Sequence, residues 1–119
     1  PALNPALRQN TGPGPRLFEM RTYHCYPGKY PDIVKRFKDH TRTLFEKHGM
    51  TNLMYFDTED GNLLYFLAHQ NAESAARSWE GFGNDPNWKK VRDQSEEPGK
   101  IVESLQSVFL KAADFSALR

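Results

Sequence analysis

The segment Leu53-Met54-Tyr55-Phe56, followed past Glu59-Asp60-Gly61-Asn62 by Leu63-Leu64-Tyr65-Phe66-Leu67-Ala68, decides the fold. Two short apolar runs around an Asp-Gly pair read as a β-hairpin, with strands near 50–57 and 62–69. Neither run alternates, although a half-solvated antiparallel strand places polar residues at every second position. Both faces of the hairpin therefore need cover. A bare patch of several large side chains is rare on a monomer. Helices account for one face, and no further layer is expected in the chain for the other. A second copy is the simplest cover: two sheets packed face to face about a two-fold axis, an isologous homodimer.

Working outward, Arg16 to Tyr26 reads as a first strand, with Phe18, Met20 and Thr22 on one face and Glu19, Arg21 and Tyr23 on the other. Pro27-Gly28 breaks it. Ile33, Val34, Phe37, Thr41, Leu44 and Phe45 recur at helical spacing over about 30–48, and Gly49 supplies a stop. After the hairpin, Asn71 is an acceptable N-cap for a helix carrying Ala72, Ala75, Ala76, Trp79 and Phe82 on one face, its end weakened by Gly81 and Gly83. Asp85-Pro86 restarts a short helix with Trp88 and Val91 inward, and Pro98-Gly99 closes it. A last strand spans about 100–111. The order βαββαβ predicts an α+β fold of ferredoxin-like plan, two helices covering one face of a four-stranded antiparallel sheet.

One domain is the natural count for 119 residues, and 38% apolar with 26% charged content is that of a globular chain. Residues 1–16 are read as a flexible arm, because Pro1, Pro5, Pro13 and Pro15 with Gly12 and Gly14 sustain neither helix nor central strand; the domain is 17–119. Sixteen Lys+Arg against fifteen Asp+Glu leave a net charge of +1, no basis for a phosphate-backbone binder, and no apolar run is long enough to cross a bilayer. The arm lacks the pattern of a secretory signal, and the expected location is cytoplasmic. The lone Cys25 excludes an intrachain disulfide and reads as a small half-buried strand residue, with His24 pointing to the opposite face.

The stretch Glu19-Met20-Arg21-Thr22-Tyr23, then Pro27-Gly28-Lys29, Lys47-His48-Gly49-Met50, Asp85-Pro86-x-Trp88-x-x-Val91, Ser95-Glu96 and Asp114-Phe115-Ser116 resembles the NIPSNAP family over about residues 17–118. The resemblance implies a ferredoxin-like dimeric α/β-barrel. It departs at Tyr55-Phe56, where family members often carry an aromatic-Trp pair, and around Ala112-Ala113 and Ala117, where a proline is common. It imports no reaction. The wider superfamily holds cofactor-free monooxygenases, haem-handling proteins and small-molecule isomerases, which supports a ligand pocket by fold analogy alone.

For chemistry, the face of Glu19, Arg21 and Tyr23 is the centre. With Phe18 and Met20 placed on the helices, the polar trio points into the cavity between sheets. There Arg21 would hold an anionic or carbonyl-bearing small molecule and Tyr23 would donate a hydrogen bond, because a buried guanidinium needs an acceptor. The alternative is internal, an ion pair of Arg21 with Glu19 or Glu103 that fixes dimer register. Tyr55, Tyr65 and Trp88 are further candidate ligand contacts, Trp88 as a pocket wall on its short helix. Glu19 and His48 are the candidate proton carriers. His69 is a second histidine able to act as general base near neutrality. His24, His40, His48 and His69 show no metal-ligand spacing, so no metal and no cofactor are expected. Two functions compete: a homodimeric small-molecule binder acting as a cofactor-free enzyme with its pocket between sheet and helices, or a non-enzymatic interaction dimer.

Overall fold

Strand alternation and one interrupted helix build the domain. The computed structural model describes Asn10 and residues 14–119, so the expected arm falls, over 1–9 and 11–13, outside the described residues. The elements are β1 (Leu17–Cys25), α1 (Tyr30–Arg36), a π-helical turn (Phe37–Thr41), α2 (Arg42–Lys47), β2 (Thr51–Asp57), β3 (Leu63–His69), α3 (Ala72–Asn84), α4 (Pro86–Ser95) and β4 (Val102–Lys111). All strand pairs are antiparallel in the order β2-β3-β1-β4, the ferredoxin-like arrangement.

The π turn was not legible in the residue pattern, yet the spacing explains it. Ile33, Phe37, Thr41 and Phe45 are all buried and lie four residues apart. In a regular α-helix each such step drifts by about 40° around the axis. A wider turn absorbs the drift: the Arg42 N–H reaches the Phe37 carbonyl, and the Thr41 hydroxyl donates to the Arg36 carbonyl at 3.2 Å. Asn71 caps α3 through its side chain, and Asp85 caps α4 through the Asn87 N–H. Helix α3 runs through Gly81 and Gly83 rather than ending there. Its buried face is Ala75, Ser78 and Phe82, with Ala72 and Ala76 left exposed.

The sheet faces are the reverse of the sequence expectation. Tyr23, Leu63, Tyr65 and Leu67 join Ile33, Phe37, Leu44, Phe45 and Phe82 in the main core, so the Glu19-Arg21-Tyr23 face is turned to the helices. Phe18 packs on the other face with Leu53 and Ala68. Tyrosine rings and an arginine stem fill a core as well as Phe and Met do, once their polar tips find partners. Those partners come from distant elements that alternation does not reveal.

The outer face has a partial cover of its own. Ala112 and Leu118, from the tail, pack beside Phe18, and Arg16 Nε donates to the Arg119 carbonyl at 2.8 Å. A groove of about 480 Å³ remains between Phe18, Leu53, Phe66, Leu110 and the tail. Met54, Phe56, Val108 and Leu110 stay exposed, as does Phe115 at 88%.

Candidate functional site

Register assembles the site. Arg21 lies opposite Tyr65 on β3 and Ser107 on β4, while Glu19 lies opposite Leu67 and Phe109. Partners across an antiparallel pair share a face, so Ser107, Leu105 and Phe109 border the same side of the sheet as Arg21. Leu105 and Phe109 are about half exposed there, so the helices leave the β4 margin open. Trp79 comes in from α3.

Glu19 is the anchor. It is fully buried and accepts four hydrogen bonds: His69 Nε2 and Trp79 Nε1 reach Oε1 at 2.8 Å each, while Arg21 NH1 at 2.9 Å and the Ser107 hydroxyl at 2.5 Å reach Oε2. Burial alone would raise its pKa, but the bonds from His69, Ser107, Trp79 and Arg21 reverse this and hold it at about 2. Glu19 is a fixed anion, and every lone-pair direction has a donor.

Arg21 spans the network. Its guanidinium stacks on Trp79 at 4.1 Å from the ring centre, and Nε donates to the Tyr65 hydroxyl at 2.8 Å. Burial disfavours its charge, but the phenol oxygens of Tyr23 and Tyr65 and the bond to Glu19 push its pKa above the ordinary value. Tyr65 donates to the Tyr23 hydroxyl at 3.0 Å, which also accepts a longer bond of 3.4 Å from Arg21 NH2. The Tyr23 oxygen thus receives two donors, and among the described residues its own proton goes to no acceptor. Tyr55 stacks on Tyr65 with ring centres 5.1 Å apart and donates to Asn52 Oδ1 at 2.5 Å. Burial pushes the Tyr55 and Tyr65 phenols well up, so both stay protonated.

Of the candidate residues, Glu19, Arg21, Tyr23 and Tyr65 meet, with Tyr55 behind Tyr65. His48 and Trp88 lie elsewhere. His48 Nε2 sits 2.7 Å from Asp85 Oδ2, which Lys47 Nζ also reaches at 2.8 Å. Lys47, then His48 and the Asn87 N–H, hold the Asp85 carboxyl well below the usual range. This cluster ties the end of α2 to the start of α4. Trp88 packs on Phe82 at 4.6 Å, with the Arg36 guanidinium over it at 5.0 Å. Glu103, the other ion-pair candidate, is exposed beside the register shift of β4, and Arg21 takes Glu19 instead.

Trp79 and Ser107 were missed, and His69 was only one of two candidate bases. Trp79 has a helical spacing that fits a core residue, and its indole N–H gave no sign of a carboxylate partner. Only the β1–β4 register reveals Ser107. Among the described residues no three His, Cys, Asp or Glu side chains group as metal ligands, and no helix is long and apolar enough to cross a membrane.

The NIPSNAP family model matches residues 18–117, nearly the whole described domain. The chain belongs to the NIPSNAP family. No curated protein matches the sequence. Among solved structures, this NIPSNAP domain is similar to a NIPSNAP family protein of unknown function from Agrobacterium tumefaciens. The identity is 22% and the TM-score 0.76, covering 87% of this chain and 94% of that one. An uncharacterized NIPSNAP domain protein from Burkholderia xenovorans is 25% identical with a TM-score of 0.71, over 84% of this chain and 97% of that one. A Streptomyces coelicolor monooxygenase in complex with nanaomycin D shares the fold at 13% identity and a TM-score of 0.62, covering 88% and 94%.

Proposed function

We propose that this NIPSNAP domain binds a small carbonyl-bearing or anionic molecule between the sheet and helix α3, at the open β4 margin, as a cofactor-free enzyme. One observation carries the reading. The Tyr23 hydroxyl accepts from both Arg21 and Tyr65 and keeps its proton unassigned. Donors feeding into a phenol oxygen strengthen the bond its proton makes, and a ligand oxygen is the acceptor the site lacks. Because Glu19 already neutralises Arg21, the site favours a polarised carbonyl oxygen over a full anion. Leu105 and Phe109 supply the apolar flank that ligand pockets commonly have. The shared fold with a nanaomycin-bound monooxygenase adds weight by analogy of fold only.

The test is a thermal-shift screen of aromatic ketones and carboxylates on the wild-type chain and Tyr23→Phe. Binding raises the melting temperature by linkage. The expected result is a ketone-dependent shift that Tyr23→Phe loses. Equal shifts in both chains would dismiss the hydroxyl as the ligand contact.

The exposed outer face supports a homodimer. Met54, Phe56, Val108 and Leu110 form an apolar surface that the tail does not cover, and Phe115 stands clear of its own chain. Two copies packed there about a two-fold axis would cover both. A cytoplasmic setting fits the single free thiol of Cys25.

A further inference from the structure

His69, like Tyr23, is a member of the network with an unfilled group. It is buried to 1% exposure, and among the described residues its Nδ1 has no hydrogen-bond partner. The other nitrogen, Nε2, lies 2.8 Å from Glu19 Oε1. Glu19 is an acceptor only, so Nε2 carries the proton and Nδ1 of the neutral ring carries the lone pair. A lone pair left empty in the interior calls for an explanation. A carboxylate that fixes the tautomer of a histidine from behind is how an imidazole is poised to take a proton.

Access comes from the β4 side. Phe109 stands 6.2 Å from the His69 ring, centre to centre, and is 53% exposed on the edge strand. A ligand entering from the β4 edge would reach the imidazole past this half-solvated ring. Glu19 fixes the imidazole through Nε2 and leaves Nδ1 turned away from the carboxylate. One Glu19 oxygen holds His69 Nε2 and the other Arg21 NH1, so the guanidinium and the imidazole flank a single carboxylate.

We propose that His69 Nδ1 is the general base of the site and that its chemistry is removal of a proton from the carbon beside a ligand carbonyl. This rests on the ligand reading above. The carbonyl oxygen accepts from the Tyr23 hydroxyl, beside the Arg21 guanidinium. The C–H bond on the adjacent carbon breaks and its proton forms an N–H bond at Nδ1. The C–H electron pair becomes the C=C bond of an enolate, and the C=O pair moves to oxygen, where Arg21 and Tyr23 meet the charge. His69 becomes an imidazolium paired with Glu19. Return of the proton to a conjugated carbon completes an isomerisation, return to the same carbon completes an exchange with solvent, and neither needs an oxidant or a reductant. Glu19 is the positioning residue.

The probe is 2-tetralone, an aryl-fused ketone with exchangeable C–H bonds beside its carbonyl, incubated with the chain in D2O. Mass spectrometry follows deuterium uptake. The wild type is expected to exceed an equal concentration of free imidazole, and His69→Gln to lose about 100-fold of the rate. Phe109→Ala is expected to raise it. The melting shift caused by 2-tetralone is expected to persist in His69→Gln, which separates the base from the binding site. Long-range proton–nitrogen spectra of the wild type, which need no variant to fold, are expected to show His69 Nδ1 without a proton. A protonated Nδ1 overturns the assignment. So does uptake unaltered in His69→Gln, or a wild type that is shifted by 2-tetralone yet exchanges nothing; in that last case the ligand reading survives alone. If 2-tetralone neither shifts nor exchanges, both fall together.

Discussion

The Arg21 guanidinium lies over the indole of Trp79 at 4.1 Å, while the indole N–H of the same ring donates to Glu19 at 2.8 Å. One side chain from α3 thus touches both halves of a buried ion pair on β1. Breaking such a pair is costly because it leaves a charge without company, whereas the intact pair adds little. Trp79 matters by completing the set.

Trp79→Phe keeps a ring under Arg21 and removes one donor from Glu19. The expected loss is about 1–3 kcal/mol, the cost of an unmet bond to a buried charged group. Chemical denaturation checks it, as a lower midpoint at unchanged slope.

Acid stability should report Glu19. Its folded carboxyl titrates at about 2 against an ordinary 4.5. As pH falls, the unfolded chain takes up this proton first, so the contribution is full above the unfolded value and is lost as pH drops toward 2. Glu19→Gln is expected to be less stable than wild type at neutral pH and to have a flatter decline between about pH 5 and pH 2. Melting temperatures across that window test the sign; Asp85, also depressed, keeps some slope in both chains.

Gly81 answers to His48. A Cβ placed there would stand 2.9 Å from His48 Nδ1. Alanine normally gains about 0.8–1 kcal/mol over glycine inside a helix. Gly81→Ala is instead expected to destabilise, by about 1–3 kcal/mol, because the ring must leave Asp85 or α3 must shift. In Gly81→Ala with His48→Ala the loss should shrink, and a double-mutant cycle measures that coupling.

A charge on the outer face tests the paired assembly. Val108→Lys and Phe56→Glu each set a charge among exposed apolar neighbours without touching the core. Light scattering should give twice the chain mass for wild type and a monomer for the variants. A wild type that is already monomeric at micromolar concentration removes the dimer.

Most of the architecture was legible because punctuation and period are local. Asp60-Gly61 marks the hairpin, Asn71 and Asp85-Pro86 mark the two helix starts, and all three stand where the residues placed them. Which face of β1 meets the helices was not legible. Alternation separates Phe18 from Glu19 but carries no sign, and the polar face turned inward because His69, Trp79 and Ser107 wait there from 50, 60 and 88 residues away. The site was half visible for the same reason. Glu19, Arg21 and Tyr23 share a strand, whereas Trp79 resembles any buried tryptophan until its N–H has an address. His48 looked free to move protons because its partner, Asp85, lies 37 residues downstream.

The wide turn at Phe37–Thr41 has a consequence for length variation. It stores one residue more than a straight coil would use, and absorbing that surplus keeps Leu44 and Phe45 on the buried side. Deleting any single residue between 37 and 41 would let the rod wind evenly and still leave Leu44 and Phe45 on the sheet side, because the lost residue takes with it the rotation of about 100° that the wide turn absorbs. A residue added there would instead swing all that follows by about 100°, so this rod can shorten by one at the wide turn and cannot lengthen by one.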